Sequence, residues 1–133
     1  MSEPARARAM VAAHGELAAG LVSAVEAITG QGSAFVAFSN RGLGPGDIER
    51  AIRETVEGLA LEVVFTDLPM GSCAIAARKV QRHRPSLCVV TGVNLAALLD
   101  FAMATSESPR EAAERAVARG RDALGSLEAP RAG

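Results

Sequence analysis

Short apolar runs alternate along the chain with longer stretches in which apolar residues recur every three or four positions, and this alternation happens four times in succession. Ala9 to Ala13 is the first run and reads as a strand, although alanine favours that state weakly. Leu17, Leu21, Val25 and Ile28 then fall on one face of a helix of about four turns, which Gly30 and Gly32 end. Ser33 to Ser39, SAFVAFS, reads as a second strand buried on both faces, as parallel strands commonly are. The loop NRGLGPGD leads into a second helix, capped by Asp47, with Ile48, Ile52, Val56 and Leu59 on its apolar side. Leu61 to Thr66, rich in β-branched and aromatic residues, is the third strand and ends on Asp67. After DLPMGSC, a third helix runs from about Cys73 to His83 with Ser72 as its N-cap.

Leu87 to Val90 is the fourth strand, and TGVN turns it into a helix carrying Leu95, Leu98, Leu99, Ala102 and Met103 on one face. The last helix opens with Ser108-Pro109-Arg110-Glu111, a capping box with proline at the first helical position. It packs through Ala113, Ala116, Val117 and Leu124, and GSLEAPRAG beyond it frays. The βαβαβαβαα order predicts an α/β fold of three layers, flavodoxin-like, with a mainly parallel sheet in strand order 2-1-3-4. First and third strands are then neighbours, and the crevice at their carboxyl ends is the topological switch point. His14 ends the first and Asp67 the third, so these distant residues are expected to meet.

A length of 133 residues with 49% hydrophobic positions suits one folded unit, expected over 1–133 with its core at about 9–124. The formal net charge is -1, from 14 basic and 15 acidic residues, so no long-range attraction to nucleic acid or an anionic membrane is expected. No run is long enough to span a membrane, and MSEPARARA lacks the apolar segment of a secretion signal, which points to the cytoplasm. Cys73 and Cys88 read as reduced and mostly buried. With only His14 and His83 beside them at no close ligand spacing, no metal site is expected. Arg78, Lys79, Arg82, His83 and Arg84 make one helix end basic, first a solvated face and second a docking surface. Arg41 is first a solvated loop residue and second a contact for whatever binds at the strand ends.

A neutral imidazole has one protonated nitrogen and one lone pair, and a carboxylate accepting from the first decides which nitrogen is the nucleophile. Asp67 is placed to do this for His14 and to favour the imidazolium that develops on attack. The hydroxyl of Ser72 and free N–H groups at the helix starts, near Gly15 and Gly71, would meet an anionic group on the ring. This suits phosphoryl transfer through a phosphohistidine. A Ser72 hydrolase fits less well because TDLPMGSC is no G-x-S-x-G elbow, and a Cys73/His14 pair is a minor reading. No glycine stretch matches a nucleotide-binding loop, so no cofactor is expected. The residues alone leave His14 open between a nucleophile and a structural turn histidine.

Four patches in order, AAHGELAAGL, the PGD before the second helix, FTDLPMGSC and VTGVNLAALLDFAMA, resemble the IIA domain of the mannose/fructose/sorbose class of the bacterial phosphoenolpyruvate:sugar phosphotransferase system (PTS). The resemblance covers about Met10 to Leu124. It implies that His14 accepts a phosphoryl group from phospho-HPr and passes it to a IIB (EIIB) component for sugar uptake, with Asp67 orienting His14 and Ser72 contacting the phosphoryl group. It also implies a homodimer, with membranes reached only through a transporter complex. The chain departs from the family at Met70-Gly71 and Ser72-Cys73, where two glycines commonly precede the serine and a proline often follows it. An exchanged antiparallel edge strand is common in the family, but the tail after Leu124 is short and contains Pro130. The phosphoryl donor subunit of dihydroxyacetone kinase looks similar around its histidine, and a regulatory protein-binding module of the same fold is the reading from another class.

Overall fold

A computed structural model describes residues 6–131. Its elements are β1 (Ala9–Ala13), α1 (Leu17–Thr29), a single 3-10 turn (Gly32–Ala34), β2 (Phe35–Ser39), α2 (Pro45–Leu59), β3 (Val63–Thr66), α3 (Ser72–His83), β4 (Cys88–Val90), α4 (Leu95–Met103) and α5 (Pro109–Ala123). The sheet is parallel throughout, in the order β2-β1-β3-β4. Because the chain reverses direction across the sheet after β2, connections of constant hand put α1 on one face and α2 and α3 on the other. Alternation along each strand builds the two cores. Ala9, Val11, Ala13, Val63 and Phe65 pack with α1, α4 and α5, while Met10, Ala12 and Val64 pack with α2 and α3.

The first of these cores is centred on Phe35, Phe65 and Phe101, whose ring centroids lie 5.2 to 6.2 Å apart. Phe65 and Phe101 are fully buried, each worth about 1.5–3 kcal/mol in apolar transfer. Arg8 closes the open end of α4 by donating to Phe101 O at 3.1 Å and Ala104 O at 3.0 Å, with its guanidinium 4.8 Å from the Phe101 ring centre. On the other face, Ile48, Ile52 and Val56 of α2 meet Ala76, Ala77 and Val80 of α3. The small alanines let these two helices lie close together.

Several expectations are corrected. The inward side of α1 is Ala18, Leu21, Val22 and Val25, whereas Leu17 and Ile28 are 45% and 62% exposed. A spacing of four or three fits both faces, and the turn at His14 sets the rotation. β2 is an edge strand with Ala37 and Ser39 exposed, so it is not buried on both faces. Gly44, not Asp47, is the N-cap of α2, with Pro45 opening the helix and Asp47 within its first turn. Likewise Gly71, extended at φ -77 and ψ 172, is the N-cap of α3, and Ser72 is its first helical residue. Leu59, Met103 and Leu124 lie on exposed positions beyond the buried stripes of their helices. Residues 124–131 belong to no helix or strand, and among the described residues no antiparallel strand joins the sheet. No helix among them is long and apolar enough to cross a membrane.

Candidate functional site

Three adjacent strands end at one place. Pairing of Ala13 with Ser39 and of Ala12 with Thr66 lines up the ends of β2, β1 and β3, so their next residues, Asn40, His14 and Asp67, come together in space. Gly15 follows His14 at φ +56 and makes the turn into α1, a conformation that a side chain would strain. After β3, the buried Thr66 hydroxyl has its one proton within reach of Leu68 O at 3.3 Å and Val90 O at 3.5 Å, and donation to the first ties down the loop that carries Asp67.

The Asp67 carboxylate receives three hydrogen bonds from the protein. Its Oδ2 accepts from the His14 main-chain N–H at 3.0 Å and meets His14 Nδ1 at 2.8 Å, and its Oδ1 accepts from Leu68 N–H at 3.0 Å. Burial pushes this carboxyl up, but the main-chain and ring hydrogen bonds from His14, with the attraction of the ring's charge, outweigh it and hold it below its usual value. Asp67 is therefore ionised at neutral pH and can only accept. Nδ1 must then be the protonated ring nitrogen, which leaves the lone pair on Nε2. The His14 side chain is 46% exposed, while Asp67 beneath it is 8% exposed.

The start of α3 stands against the same ring. A Cβ on Gly71 would sit 3.0 Å from His14 Cε1, so only glycine allows this approach without displacing the ring. Neither α1 nor α3 has a side-chain cap at its N-terminus, but the first N–H of α1, on Leu17, donates to His14 O at 3.2 Å, so the start of α3 is the more open of the two to an anion. Ser72 Oγ accepts from Asn40 Nδ2 at 3.2 Å, and the Asn40 Oδ1 accepts from Gly15 N–H at 3.3 Å. Nothing in the sequence around Asn40 marks it as a site residue. As the first residue after β2 it occupies the same strand-end position as His14 after β1, a signal readable only once the register is known.

The Arg41 guanidinium lies beside Gly15, its Nη2 3.5 Å from where a Cβ would be, and its Nη1 is 3.7 Å from the exposed Glu16 carboxylate. His83 is exposed at the end of α3 opposite Ser72, among the exposed Arg78, Lys79 and Arg82. Cys73 is buried, and burial, then the charge of Asp67, pushes its thiol up to about 11. A protonated thiol is a poor partner for His14. No hydrogen bond among the described residues joins Ser72 to His14, as a hydrolase would need. Nor do three His, Cys, Asp or Glu side chains among them gather closely enough to hold a metal ion. A groove of about 510 Å³ along Met70, Ile75 and Arg78 and one of about 370 Å³ along Gly15, Phe38 and Arg41 flank His14 without including it.

The family model for the PTS system fructose IIA component matches residues 8–118. No curated protein sequence gives a significant match. Among solved structures, the mannose/sorbose specific IIA subunit of the phosphotransferase system from Enterococcus faecalis superposes with a TM-score of 0.80 at 21% identity, over 97% of this chain and 100% of that one. A phosphotransferase system component EIIA from Streptococcus agalactiae gives 0.79 at 18% identity, over 90% and 95% of the two chains. The PTS IIA protein associated with the fucose utilization operon of Streptococcus pneumoniae gives 0.72 at 22%, over 91% and 93%. The family match runs from just before the strand that delivers His14 into the last helix, and the chain therefore belongs to the mannose-class IIA components of the sugar phosphotransferase system.

Proposed function

We propose that this IIA component is a phosphocarrier in which Nε2 of His14 takes a phosphoryl group from phospho-HPr and passes it to a IIB component for sugar uptake. One observation carries the reading. The ionised Asp67 accepts a hydrogen bond from Nδ1–H, with Nδ1 and Oδ2 2.8 Å apart, which leaves the lone pair on Nε2 of a half-exposed ring. In the forward step Nε2 forms a bond to phosphorus as the donor's nitrogen–phosphorus bond breaks, and the electron pair of that bond returns to the donor nitrogen. The His14 ring becomes positive, and Asp67 stabilises that charge through the hydrogen bond already in place. Transfer to IIB is the same exchange with the roles reversed, so one geometry serves both.

Ser72, with main-chain groups at Gly71, faces the phosphoryl oxygens in this proposal, while Gly15, whose N–H is taken by Asn40 Oδ1 at 3.3 Å, serves the site through its turn. The uncapped start of α3 supplies favourable N–H dipoles there. An exposed histidine outside the neighbouring grooves suits exchange with protein partners better than capture of a small substrate. The proposal includes one domain over the whole chain, in the cytoplasm, acting as the homodimer that the family resemblance implies. The test is intact-mass spectrometry after incubation with phosphoenolpyruvate, enzyme I and HPr. One acid-labile phosphoryl mass that is absent from His14→Ala supports the reading. Labelling that persists in His14→Ala refutes His14, and no labelling by a donor shown to be active refutes the phosphocarrier.

A further inference from the structure

We propose that Asn40 is a positioning residue that turns the Ser72 hydroxyl into a dedicated hydrogen-bond donor for the phosphoryl group. The inference rests on the phosphocarrier reading of His14. Asn40 is tied to the end of β1 by its own main-chain N–H, which donates to Ala13 O at 3.2 Å. Its side-chain amide then spans the site, accepting from Gly15 N–H at 3.3 Å and donating to Ser72 Oγ at 3.2 Å. The chemistry of the partners fixes which way round this amide sits. Gly15 N–H is only a donor, so the atom facing it is the amide oxygen, and the atom facing Ser72 is the NH2 group.

The polarity of the second bond decides what Ser72 can do. A hydroxyl has one proton and two lone pairs. Since the Asn40 NH2 group cannot accept, Ser72 receives its bond on a lone pair and keeps its proton. By distance and angle Ser72 Oγ makes no other hydrogen bond among the described residues, and although it lies near enough to the Cys73 thiol to pull that group's pKa down against burial, a protonated thiol is a much weaker acceptor than a phosphoryl oxygen. The residue is also the first of α3 and does not cap its own helix, which is what would otherwise occupy its oxygen. Asn40 thus blocks the hydroxyl from donating towards β2 and leaves its proton for an acceptor on the side of Gly71 and His14. A phosphoryl oxygen on Nε2 is such an acceptor. The same amide occupies Gly15 N–H, so Gly15 serves the site through its turn more than through its own N–H.

The test is single-turnover transfer from labelled phospho-HPr, with the folded state of each variant checked by circular dichroism. Asn40→Ala and Ser72→Ala are each expected to slow acceptance roughly tenfold, the size of one hydrogen bond to a charged group. Their double variant is expected to be within about twofold of Ser72→Ala alone, because the first residue acts through the second. Asn40→Asp, nearly isosteric, keeps an acceptor for Gly15 N–H but draws the Ser72 proton inward. It is expected to be slower than Asn40→Ala, and part of its effect is expected to vanish in a Ser72→Ala background, where only its charge remains. Effects of Asn40→Ala and Ser72→Ala that multiply, or an Asn40→Ala variant as fast as the unaltered protein, would overturn the proposal while labelling of His14 stands. An unaltered protein that takes no label from an active donor would overturn the phosphocarrier reading and this one with it.

Discussion

Replacing Asp67 with asparagine exchanges one oxygen for an NH2 group and removes a charge where three hydrogen bonds converge. In one orientation the amide oxygen still receives the His14 main-chain N–H and Nδ1, but the NH2 group then faces Leu68 N–H, donor against donor. In the other the NH2 group faces His14, clashes with its main-chain N–H, and donates to Nδ1, which moves the ring proton to Nε2 and removes the nucleophile. Either way the carboxylate charge that would balance the imidazolium is gone. A hydrogen bond to a charged group is worth about 1.5–3 kcal/mol, so acceptance of a phosphoryl group is expected to slow by roughly 10- to 150-fold. Rapid-quench transfer from phospho-HPr, at concentrations that saturate the unaltered protein, reads the chemical step directly. The orphaned N–H also costs stability, about 1–3 kcal/mol, which denaturant unfolding measures separately. Transfer within about twofold of the unaltered protein would refute the role given to the carboxylate.

Gly71→Ala places a methyl group 3.0 Å from His14 Cε1 at a φ of -77 that alanine adopts without strain. Transfer is expected to fall at least about tenfold through ring displacement with little change in the unfolding midpoint, and an unchanged rate would contradict the close approach. The pH dependence of stability has a definite sign, because the folded-state value of Asp67 lies below its ordinary 3.8. Its contribution is complete above 3.8 and is lost as pH falls through the lowered native value. Unfolding free energies measured down the acid limb should converge for the unaltered protein and Asp67→Asn, whereas parallel curves would contradict the shift. Asn94 accepts from Ala97 N–H at 3.0 Å as the cap of α4 and donates to Gly120 O of α5 at 2.9 Å. Asn94→Ala is expected to cost about 2 kcal/mol and to lower the thermal midpoint by several degrees without altering phosphoryl transfer, and an unchanged midpoint would contradict the cap.

Much of this architecture is legible in the sequence because buried strands and amphipathic helices alternate with clear periods. That alternation is enough to place the ends of β1 and β3 side by side, and with them His14 and Asp67. Helix rotation was less legible. Leu17 and Ile28 share a stripe with Val25, but the start of α1 is fixed by the His14–Gly15 turn, and Ala18 and Val22 face inward instead. The 2-1-3-4 order already places β2 at the sheet edge, but the apolar run SAFVAFS does not show that Ala37 and Ser39 stay exposed there. Residue type favours Ser72 as the cap, whereas Gly71 holds that place, where its lack of a side chain also allows the close approach to His14. Asn40 was hidden because its two partners, Gly15 and Ser72, lie 25 and 32 residues away in the chain.

The most direct test of the central claim is nuclear magnetic resonance of the phosphorylated protein carrying nitrogen-15 histidine, with phosphorus observed alongside. The account predicts a single phosphohistidine, phosphorus coupled to Nε2 of His14, and a protonated Nδ1 held by Asp67. Phosphorus coupled to Nδ1, or phosphate on any residue other than His14, would contradict it.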